Sequence, residues 1–493
     1  MSAPRRIVIL GGGFAGAALA VHLLERARGP LDLVVVEPRA RLGQGLAYGT
    51  AVAAHRINVP SDKMILHRDR PDHFTQWLER TGLRALDPEG EDGHGHHYSR
   101  RQDFGAYMAA TVDAAAQVAG AARLTLSPGD ALPEATGARL IHLRARAEGV
   151  TPSPTGARVL LAGGSSVDGW RVVLATGHER PQLPWRIEGG SALDPRLISD
   201  PWAADALAGV AQDARVVLLG TGLTMVDVVV QLLEAGHTGP ITALSRRAQL
   251  PRQHGAFEPL ARPGPLPATA LAGLRAARQL VASERASGRD WHTAIDSLRA
   301  QASAIWQGWD SREQTRFLAR LRPFWDVHRF RIAPQLASRI DTARASGALK
   351  VQRGQITGLR ARPEALEILM PAGPVAADAV VCCIGPHPDI TRRPDPLIAS
   401  LLREGHAQSD PHRLGLAVTR RLELAGRRGA NTALRVVGPL TRGVVWEVVG
   451  VPELSDQCRI LADMLSAEAV EHDLPPTASR THDHISALVK ETP

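Results

Sequence analysis

The chain has 493 residues, 44% of them hydrophobic and 22% charged, which predicts a globular protein of two or three domains with room for a large cofactor. Its formal net charge is +8, yet the only lysines are Lys63, Lys350 and Lys490, the arginines are scattered and 4% of the residues are aromatic, so we expect no nucleic-acid partner. The positive charge instead favours phosphate-bearing cofactors or anionic substrates.

The N-terminal stretch MSAPRR passes directly into the apolar run RIVILGGG. This leaves no room for a signal peptide with an apolar core and a cleavage site, and no apolar run in the chain approaches the length of a bilayer crossing. We therefore expect a cytoplasmic protein with no membrane partner.

The stretch RIVILGGGFAGAALA has the pattern of a strand, a glycine-rich turn and a helix. Gly11 would permit the tight turn, Gly13 would let the backbone approach a pyrophosphate, and Gly16 would allow the helix to pack closely on the strand. The next strand, LDLVVVE, ends at Glu37, whose carboxylate suits ribose hydroxyls. The pattern predicts a Rossmann-like dinucleotide-binding domain.

Three histidines, His94, His96 and His97, fall in the stretch GHGHHYSRR. The glycine-rich spacing and the lack of partner ligands predict a solvated loop, and no metal is expected.

The same order of predicted elements, a glycine turn followed by helices and a meander, occurs twice in the chain. ARLIHLRARAEG, ARVLLAGGS and WRVVLATGHERP predict a three-stranded meander whose last strand ends at Thr176 and Gly177, which we expect to contact the cofactor. LKVQRGQITGLRAR, ALEILM and DAVVCCIGPHPD repeat this order after a second glycine turn. The sequence therefore predicts an α/β fold of two Rossmann-like dinucleotide-binding domains, the second nested in the first.

The second glycine turn lies in VVLLGTGLTMVDVVV, where Gly220 and Gly222 take the first two glycine positions and Met225 replaces the third. This replacement should loosen the packing of helix on strand but keep the pyrophosphate turn. The next strand runs into Arg246 and Arg247, which suit the 2′-phosphate of NADPH or, alternatively, start a solvated loop. We expect FAD in the first domain and NADPH, or else NADH, in the second.

The predicted domain boundaries follow this plan. The expected segments are 1–190 for the first part of the FAD-binding domain, 191–375 for the NAD(P)-binding domain with a helical insertion at about 266–345, 376–473 for the return of the FAD-binding domain, and 474–493 for a loosely held tail. The insertion would supply a lid, a substrate wall or only structural support.

Several motifs occur in order along the chain, among them LGQGLAYGT, HRINVPSDKM, LLGTGLTMVD, LSRRAQLP and GPLTRGVVWEVVGVPEL. Together they resemble the bacterial FAD/NAD(P)-binding proteins related to flavin N-hydroxylating monooxygenases, a group that includes FAD-dependent urate hydroxylases. The resemblance extends to about Leu465 and implies two domains of the glutathione-reductase type. Activities in this group are NADPH- or NADH-dependent hydroxylations of urate or of amines.

The resemblance also implies which loop residues lie along the flavin, with ordinary packing beside the cofactor as the alternative. These residues are Gly45, Tyr48, Asn58, Met64, Gly438 and Trp446.

No CxxC or CxxxxC pair occurs among Cys382, Cys383 and Cys458, which argues against a flavin-dependent disulfide reductase. We therefore expect a monooxygenase that uses molecular oxygen and acts, through a flavin hydroperoxide, on a small anionic or nitrogen-containing substrate such as urate. The alternatives are a flavin-dependent reductase of a small acceptor and a non-catalytic FAD-binding sensor. The sequence does not define the oligomeric state.

The segment RPFWDVHRFRIAP supplies the candidate catalytic residues. On a helix Asp326 and Arg329 would pair, while His328 and Arg331 would share another face and bind an anionic substrate. The alternative is a surface salt bridge with a capped helix end.

Overall fold

The computed structural model describes residues 5–131, 137–177, 181–255, 260 and 264–473. The predicted tail, 474–493, lies outside the described residues.

The strands in these ranges are β1 (Arg5–Leu10), β2 (Leu31–Val36), β3 (Ala122–Leu126), β4 (Arg139–Leu143), β5 (Ala147–Ser153), β6 (Gly156–Leu161), β7 (Ser166–Gly169), β8 (Arg171–Leu174), β9 (Ile187–Glu188), β10 (Leu197–Ile198), β11 (Val216–Leu219), β12 (Ile241–Ser245), β13 (Leu349–Arg353), β14 (Gly358–Ala361), β15 (Leu366–Leu369), β16 (Val375–Ala377), β17 (Ala379–Cys382), β18 (Glu423–Gly426) and β19 (Gly429–Val436). The α-helices are α1 (Phe14–Arg26), α2 (His73–Arg80), α3 (Arg101–Val118), α4 (Leu223–Glu234), α5 (Ala270–Ala286), α6 (Trp291–Ala300), α7 (Ala302–Gly308), α8 (Ser311–Arg316), α9 (Arg322–Arg329), α10 (Pro334–Ala345), α11 (Pro396–Glu404), α12 (Arg442–Val445) and α13 (Val451–Asp473).

Seven strands form the first sheet in the order β18-β19-β8-β1-β2-β4-β3, and β1 is parallel to both of its neighbours. Its central strands are continuous apolar runs because both faces are covered. Ile7 and Ile9 face a core shared with α1, α3 and α13, whereas Val8 and Leu10 face a core shared with β5–β7 and α11. The first domain is therefore three layers thick.

The second sheet has the order β10-β17-β11-β12-β13 and repeats the design. Val216 and Leu218 pack toward α4 and α10, and Val217 and Leu219 pack toward the antiparallel strands β14–β16. The order β8-β1-β2-β4 of the first sheet thus corresponds to β17-β11-β12-β13 of the second. The predicted α/β fold with two Rossmann-like domains, the second nested in the first, is confirmed.

The strand assignments within the two meanders need correction. The meanders are β5–β7 and β14–β16, whereas the last predicted strands, WRVVL and AVVC, form β8 and β17 in the parallel sheets. ARLIHLRARAEG divides into β4 and the start of β5, and LKVQRGQITGLRAR divides into β13 and β14. Each long stretch supplies two strands because it passes from one sheet into another.

The domain boundary predicted at residue 376 also differs from the one that the strand pairing indicates. β17 pairs with β11 in the second sheet, so the chain returns to the first domain only after Cys382. On the N-terminal side, β10 already belongs to the second sheet. We propose that the second domain comprises the chain from about β9 to Cys382.

The predicted helical insertion contains α5–α9, and a π-helical turn at Phe317–Leu321 connects α8 to α9. α10, at its end, packs on α4 and β13 as a helix of the second domain. None of the helices in the described ranges combines the length and the hydropathy that a bilayer crossing requires.

Candidate functional site

The first glycine turn, residues 11–16, connects β1 to α1. Gly11 has φ +102°, and its N–H donates to the Val36 carbonyl at 2.9 Å. A Cβ at Gly11 would lie 2.8 Å from the Ala175 carbonyl oxygen, and one at Gly16 would lie 1.9 Å from the Gly11 carbonyl oxygen. Both positions therefore require glycine, for the turn and for the helix packing respectively.

Gly13 is the N-cap of α1 and faces free space bordered by Gly45, whose Cα is 3.6 Å from the position of a Gly13 Cβ. No side chain caps this helix end, and its first turn contains no acidic residue. The N–H groups of the first turn are therefore available to an anion, which the helix dipole also favours.

Glu37 follows β2 and is 4% exposed. Its Oε2 accepts from the Gly12 N–H at 2.9 Å and its Oε1 accepts from the Arg39 N–H at 3.0 Å. The Arg39 guanidinium also donates to Oε1, at 3.4 Å. The carboxylate is thus oriented beside the turn, and Oε2 keeps a lone pair for a ribose hydroxyl.

Two of the predicted flavin-lining residues have packing roles. Met64 is 3% exposed within the first core. The Tyr48 ring packs edge-on against Phe104 with a centroid distance of 4.7 Å, and burial raises the pKa of its phenol to about 12. Tyr48 is therefore neutral at physiological pH.

Three other residues have groups free for a ligand. Asn58 Oδ1 and Thr176 Oγ1 are buried and have no hydrogen-bond partner within the described residues. A Cβ at Gly177 would meet no atom within 4 Å. Because unpaired buried polar atoms are costly, these groups fit a polar cofactor placed beside the turn.

The segment 438–447, called the closing segment below, returns to the start of α1. Gly438 has φ +83°, and a Cβ there would lie 3.6 Å from Ala15 Cβ. Its N–H donates to Gln457 Oε1 at 2.7 Å. The closing segment therefore lies next to the start of α1.

The second glycine turn, residues 220–225, repeats the geometry of the first. Gly220 has φ +113°, and its N–H donates to the Leu244 carbonyl at 2.8 Å. A Cβ at Gly220 would lie 2.6 Å from the Cys383 carbonyl oxygen, and Gly222 faces free space as the uncapped N-cap of α4. Met225 is fully buried in the second domain and leaves this turn intact.

Arg246 and Arg247 are exposed directly after β12. Thr221 of the second turn bonds to Ser245 at 2.9 Å, which places both arginines beside that turn. The Arg247 guanidinium lies 5.3 Å from the Phe324 ring centroid, and Arg246 has no ion pair within the described residues. Both charges are available to a phosphate.

The helical insertion, Arg252 and Trp446 of the closing segment line an open cavity of about 640 Å³, called the aromatic pocket below. Five of the nine tryptophans line it with Phe317; they are Trp291, Trp306, Trp309, Trp325 and Trp446. The sequence patterns do not predict this pocket, although the concentration of tryptophans in the insertion is a usable signal for it.

Trp446 joins the pocket to the closing segment. It is 3% exposed, has φ +62°, and stacks on Trp306 with a centroid distance of 4.7 Å. A positive φ is rare for so bulky a residue and marks a position that its surroundings hold under strain.

Residues 8–179 match the family model of FAD-NAD(P)-binding proteins. This match lies over the domain that contains the first glycine turn, and it confirms the prediction of FAD and a nicotinamide dinucleotide as the cofactors. A search of curated proteins found no match to the sequence.

Solved structures extend the likeness over most of the chain. An ornithine hydroxylase from Pseudomonas aeruginosa is 15% identical, with a TM-score of 0.59, and covers 95% of this chain and 100% of its own. An ornithine N-hydroxylase from Kutzneria sp. 744, with reduced FAD, NADP+ and L-ornithine, is 14% identical at the same TM-score and the same two coverages. An L-lysine 6-monooxygenase from Pseudomonas syringae is 16% identical, with a TM-score of 0.58, and covers 96% of this chain and 100% of its own. At these identities the likeness establishes the shared fold.

The predicted pairing of Asp326 with Arg329 is wrong. Asp326 pairs with Arg322 at 3.3 Å, and Arg329 pairs with Glu447 of the closing segment at 3.0 Å. Because Arg329 and Glu447 are 9% and 6% exposed at their side chains, this ion pair joins α9 to the closing segment in a buried position.

The predicted anion-binding pair of His328 and Arg331 is also corrected. Arg331 is 3% exposed and forms an ion pair with Asp296 of α6, while burial lowers the pKa of its guanidinium. His328 is half-buried and lines the aromatic pocket, with its Nδ1 2.7 Å from the Phe324 carbonyl. Only His328 therefore faces space that a substrate could enter.

The three cysteines are free and buried, and burial raises the pKa of each thiol, that of Cys382 to about 11. Buried thiols with raised pKa values are poor nucleophiles, so thiol–disulfide exchange has no suitable group in the chain.

The loop predicted for the three histidines is only partly solvated. His94 is exposed, but His97 is 5% exposed, with its Nδ1 3.3 Å from the Ser61 and Ser99 hydroxyls.

A different group, His22, Glu25 and His67, places its ligand-type atoms within 4.8 Å of one another. The Arg70 guanidinium donates to Glu25 at 2.8 Å, so the carboxylate already has a cationic partner.

Proposed function

We propose that this protein is a flavin-dependent, NADPH-using monooxygenase of a small molecule. The observation that carries the proposal is the pair of matching glycine turns in two domains of one chain, which also has a substrate-sized pocket that includes Trp446 of the closing segment. The named activities of the ornithine and lysine hydroxylases with the same fold support it.

FAD fits the first domain. The N–H groups at the start of α1 would hold its pyrophosphate, and Glu37 would accept from a ribose hydroxyl. Asn58 Oδ1 and Thr176 Oγ1 would find in the cofactor the partners that they lack. When bound, the flavin supplies hydride acceptance from the nicotinamide and the activation of oxygen.

NADPH fits the second domain by the same reasoning. The uncapped start of α4 at Gly222 would bind the pyrophosphate, and Arg246 and Arg247 would pair with the 2′-phosphate.

The other contributions of the chain are water exclusion and a proton acceptor. The aromatic pocket is lined mainly by apolar atoms, so a substrate that fills it would displace water from the reacting groups. The short contact from His328 Nδ1 to a carbonyl requires a proton on Nδ1, so in the neutral ring Nε2 is free to accept one. We propose that His328 takes a proton from the substrate at Nε2.

Replacement of His328 by Ala tests this role. Product formation should fall about a hundredfold, the usual contribution of a positioned acid or base, while the flavin content stays unchanged. Turnover that is fully retained would remove His328 from the site.

The test of the proposed function measures oxygen uptake and product formation in the presence of NADPH. With urate, amines and anionic aromatic compounds as trial substrates, a true substrate should accelerate oxygen uptake, and one atom of labelled oxygen should enter the product. Product that forms equally well without oxygen would overturn the monooxygenase proposal in favour of a reductase.

A further inference from the structure

One face of α5 lines the aromatic pocket along the whole helix. Its apolar members recur at helical spacing, and they are Ala270, Leu274, Ala277 and Val281. In the described chain these side chains border the cavity, and only Ala270 among them is buried. An apolar helix face that borders an open cavity is expected where a bound ligand covers that face.

The opposite walls are aromatic. The indole of Trp306 donates from Nε1 to the Gly443 carbonyl at 2.8 Å, which fixes its ring against Trp446. Rigid, flat rings favour a ligand with a flat apolar body, because stacked and edge-on ring contacts contribute beyond the burial of area. A volume of about 640 Å³ is well within the range for drug-sized ligands and exceeds the needs of a single amino acid.

The charges at the pocket have one sign. Three arginines, Arg252, Arg278 and Arg285, lie at its lining, and no Asp or Glu does so among the described residues. All three are exposed, and none has an ion pair within the described chain. A cationic amine would thus meet repulsion without a counterion, whereas a carboxylate would meet free guanidinium groups.

The pocket is tied to the closing segment by several contacts. Ser303 Oγ of α7 donates to the Val445 carbonyl at 2.5 Å, and the buried Arg329–Glu447 ion pair joins the segment to α9. The same segment reaches the start of α1 at Gly438. A ligand in the pocket would therefore lie next to the closing segment, two of whose residues, Gly438 and Trp446, the resemblance places along the flavin.

We propose that the aromatic pocket binds a substrate with a flat aromatic body and a carboxylate, the carboxylate directed to Arg278 and Arg285 of α5. This chemistry differs from that of ornithine and lysine, which carry ammonium groups, and from the small polar ring of urate. That the ligand is a substrate rests on the proposed function.

The experiment measures binding of three matched probes by calorimetry to the flavin-loaded protein, without NADPH. The probes share a naphthalene ring and differ in charge: 2-naphthoate, 2-naphthalenemethanol and 2-naphthylmethylammonium. We expect 2-naphthoate to bind at least about tenfold more tightly than the ammonium probe, because their charges meet the arginines with opposite sign. Equal affinities, or no binding of 2-naphthoate, would overturn the proposal.

The variant pair Arg278→Ala/Arg285→Ala tests the carboxylate contact. It should weaken 2-naphthoate binding about tenfold and leave 2-naphthalenemethanol unchanged. Arg275→Ala is the matched control, because Arg275 is exposed on the same helix but does not line the pocket. An unchanged affinity of the double variant for 2-naphthoate would remove the arginines from the site.

Ala277→Trp, which fills the cavity, should abolish binding of all three probes while the flavin content is retained. Binding that survives this change would place the probes elsewhere. None of the probe experiments requires turnover. Binding of 2-naphthoate without any oxygen transfer by the protein would therefore contradict the proposed function but not the proposed ligand chemistry of the pocket.

Discussion

Arg331 is held in the interior by the Asp296 carboxylate, and its Nε donates to the His328 carbonyl at 2.8 Å. Arg246, in contrast, is exposed and has no ion pair within the described residues. The sequence predicts an anionic ligand for both arginines, because the residue type alone does not distinguish a buried arginine from an exposed one. Asp296 lies 35 positions before Arg331, so only the tertiary structure reveals the pairing.

Arg331→Met is expected to destabilise the protein rather than to weaken substrate binding. Removal of one partner of a buried ion pair costs about 3 kcal/mol or more, and Arg299, 3.2 Å from Asp296, offsets part of that cost. The melting temperature should fall clearly, while KM for any substrate found changes less than twofold. A raised KM at an unchanged melting temperature would restore Arg331 to the binding site.

Arg246→Ala combined with Arg247→Ala should raise KM for NADPH at least about tenfold, because two cations are lost opposite the 2′-phosphate. NADH serves as the internal control, since it lacks that phosphate, and its KM should change less than twofold. Steady-state oxidation of the two nucleotides gives the comparison. Equal effects on both would show that the arginines only begin a solvated loop.

At the scale of elements, α1 depends on the absence of a side chain at one position. A Cβ at Gly16 would lie 1.9 Å from the Gly11 carbonyl oxygen, so Gly16→Ala should displace the helix from the turn and abolish FAD retention during purification. Gly29→Ala is the matched control, because nothing lies within 4 Å of its added Cβ. A yellow Gly16→Ala protein with full flavin content would contradict the role given to α1.

The glycine turns were predictable because the strand, turn and helix that form each one are consecutive in the chain. The positions of the two meanders along the chain were predictable, but the strands that form them were not. An apolar run such as ARLIHLRARAEG does not show where the chain passes from one sheet to another. The aromatic pocket was not predictable as a pocket, because its walls come from the insertion and from Trp446, more than 100 residues apart. Local sequence patterns thus located the glycine turns, whereas the lining of the aromatic pocket became visible only in the folded structure.

At the scale of the whole molecule, buried histidines predict a loss of stability in acid. Burial lowers the pKa of His67 to about 4 and of His254 to about 3, below the value near 6.5 of an unfolded chain. Below about pH 6.5 the unfolded chain therefore binds protons that the folded protein does not, so stability present above that pH is lost as the pH falls toward 4.

His254→Gln tests this prediction. Glutamine keeps a partner for the Tyr98 hydroxyl, which lies 3.1 Å from His254 Nδ1, but does not titrate. The drop in melting temperature between pH 7.5 and 5.5 should become smaller, while His94→Gln, at an exposed position, should leave it unchanged. An identical pH dependence in the His254 variant would show that this ring does not link stability to pH.

The second domain is inserted between the two parts of the first, and the closing segment and the helical insertion meet at the aromatic pocket. The proposed function gives a reason for two glycine turns in one chain: one would hold the flavin and the other would bind the nucleotide that reduces it. The most direct test is the visible spectrum of the purified protein, recorded without oxygen before and after NADPH is added. We predict an oxidised-flavin band that NADPH bleaches, with or without an aromatic carboxylate present. A flavin band that NADPH leaves unchanged under both conditions would contradict the assignment of the second turn and, with it, the proposed function.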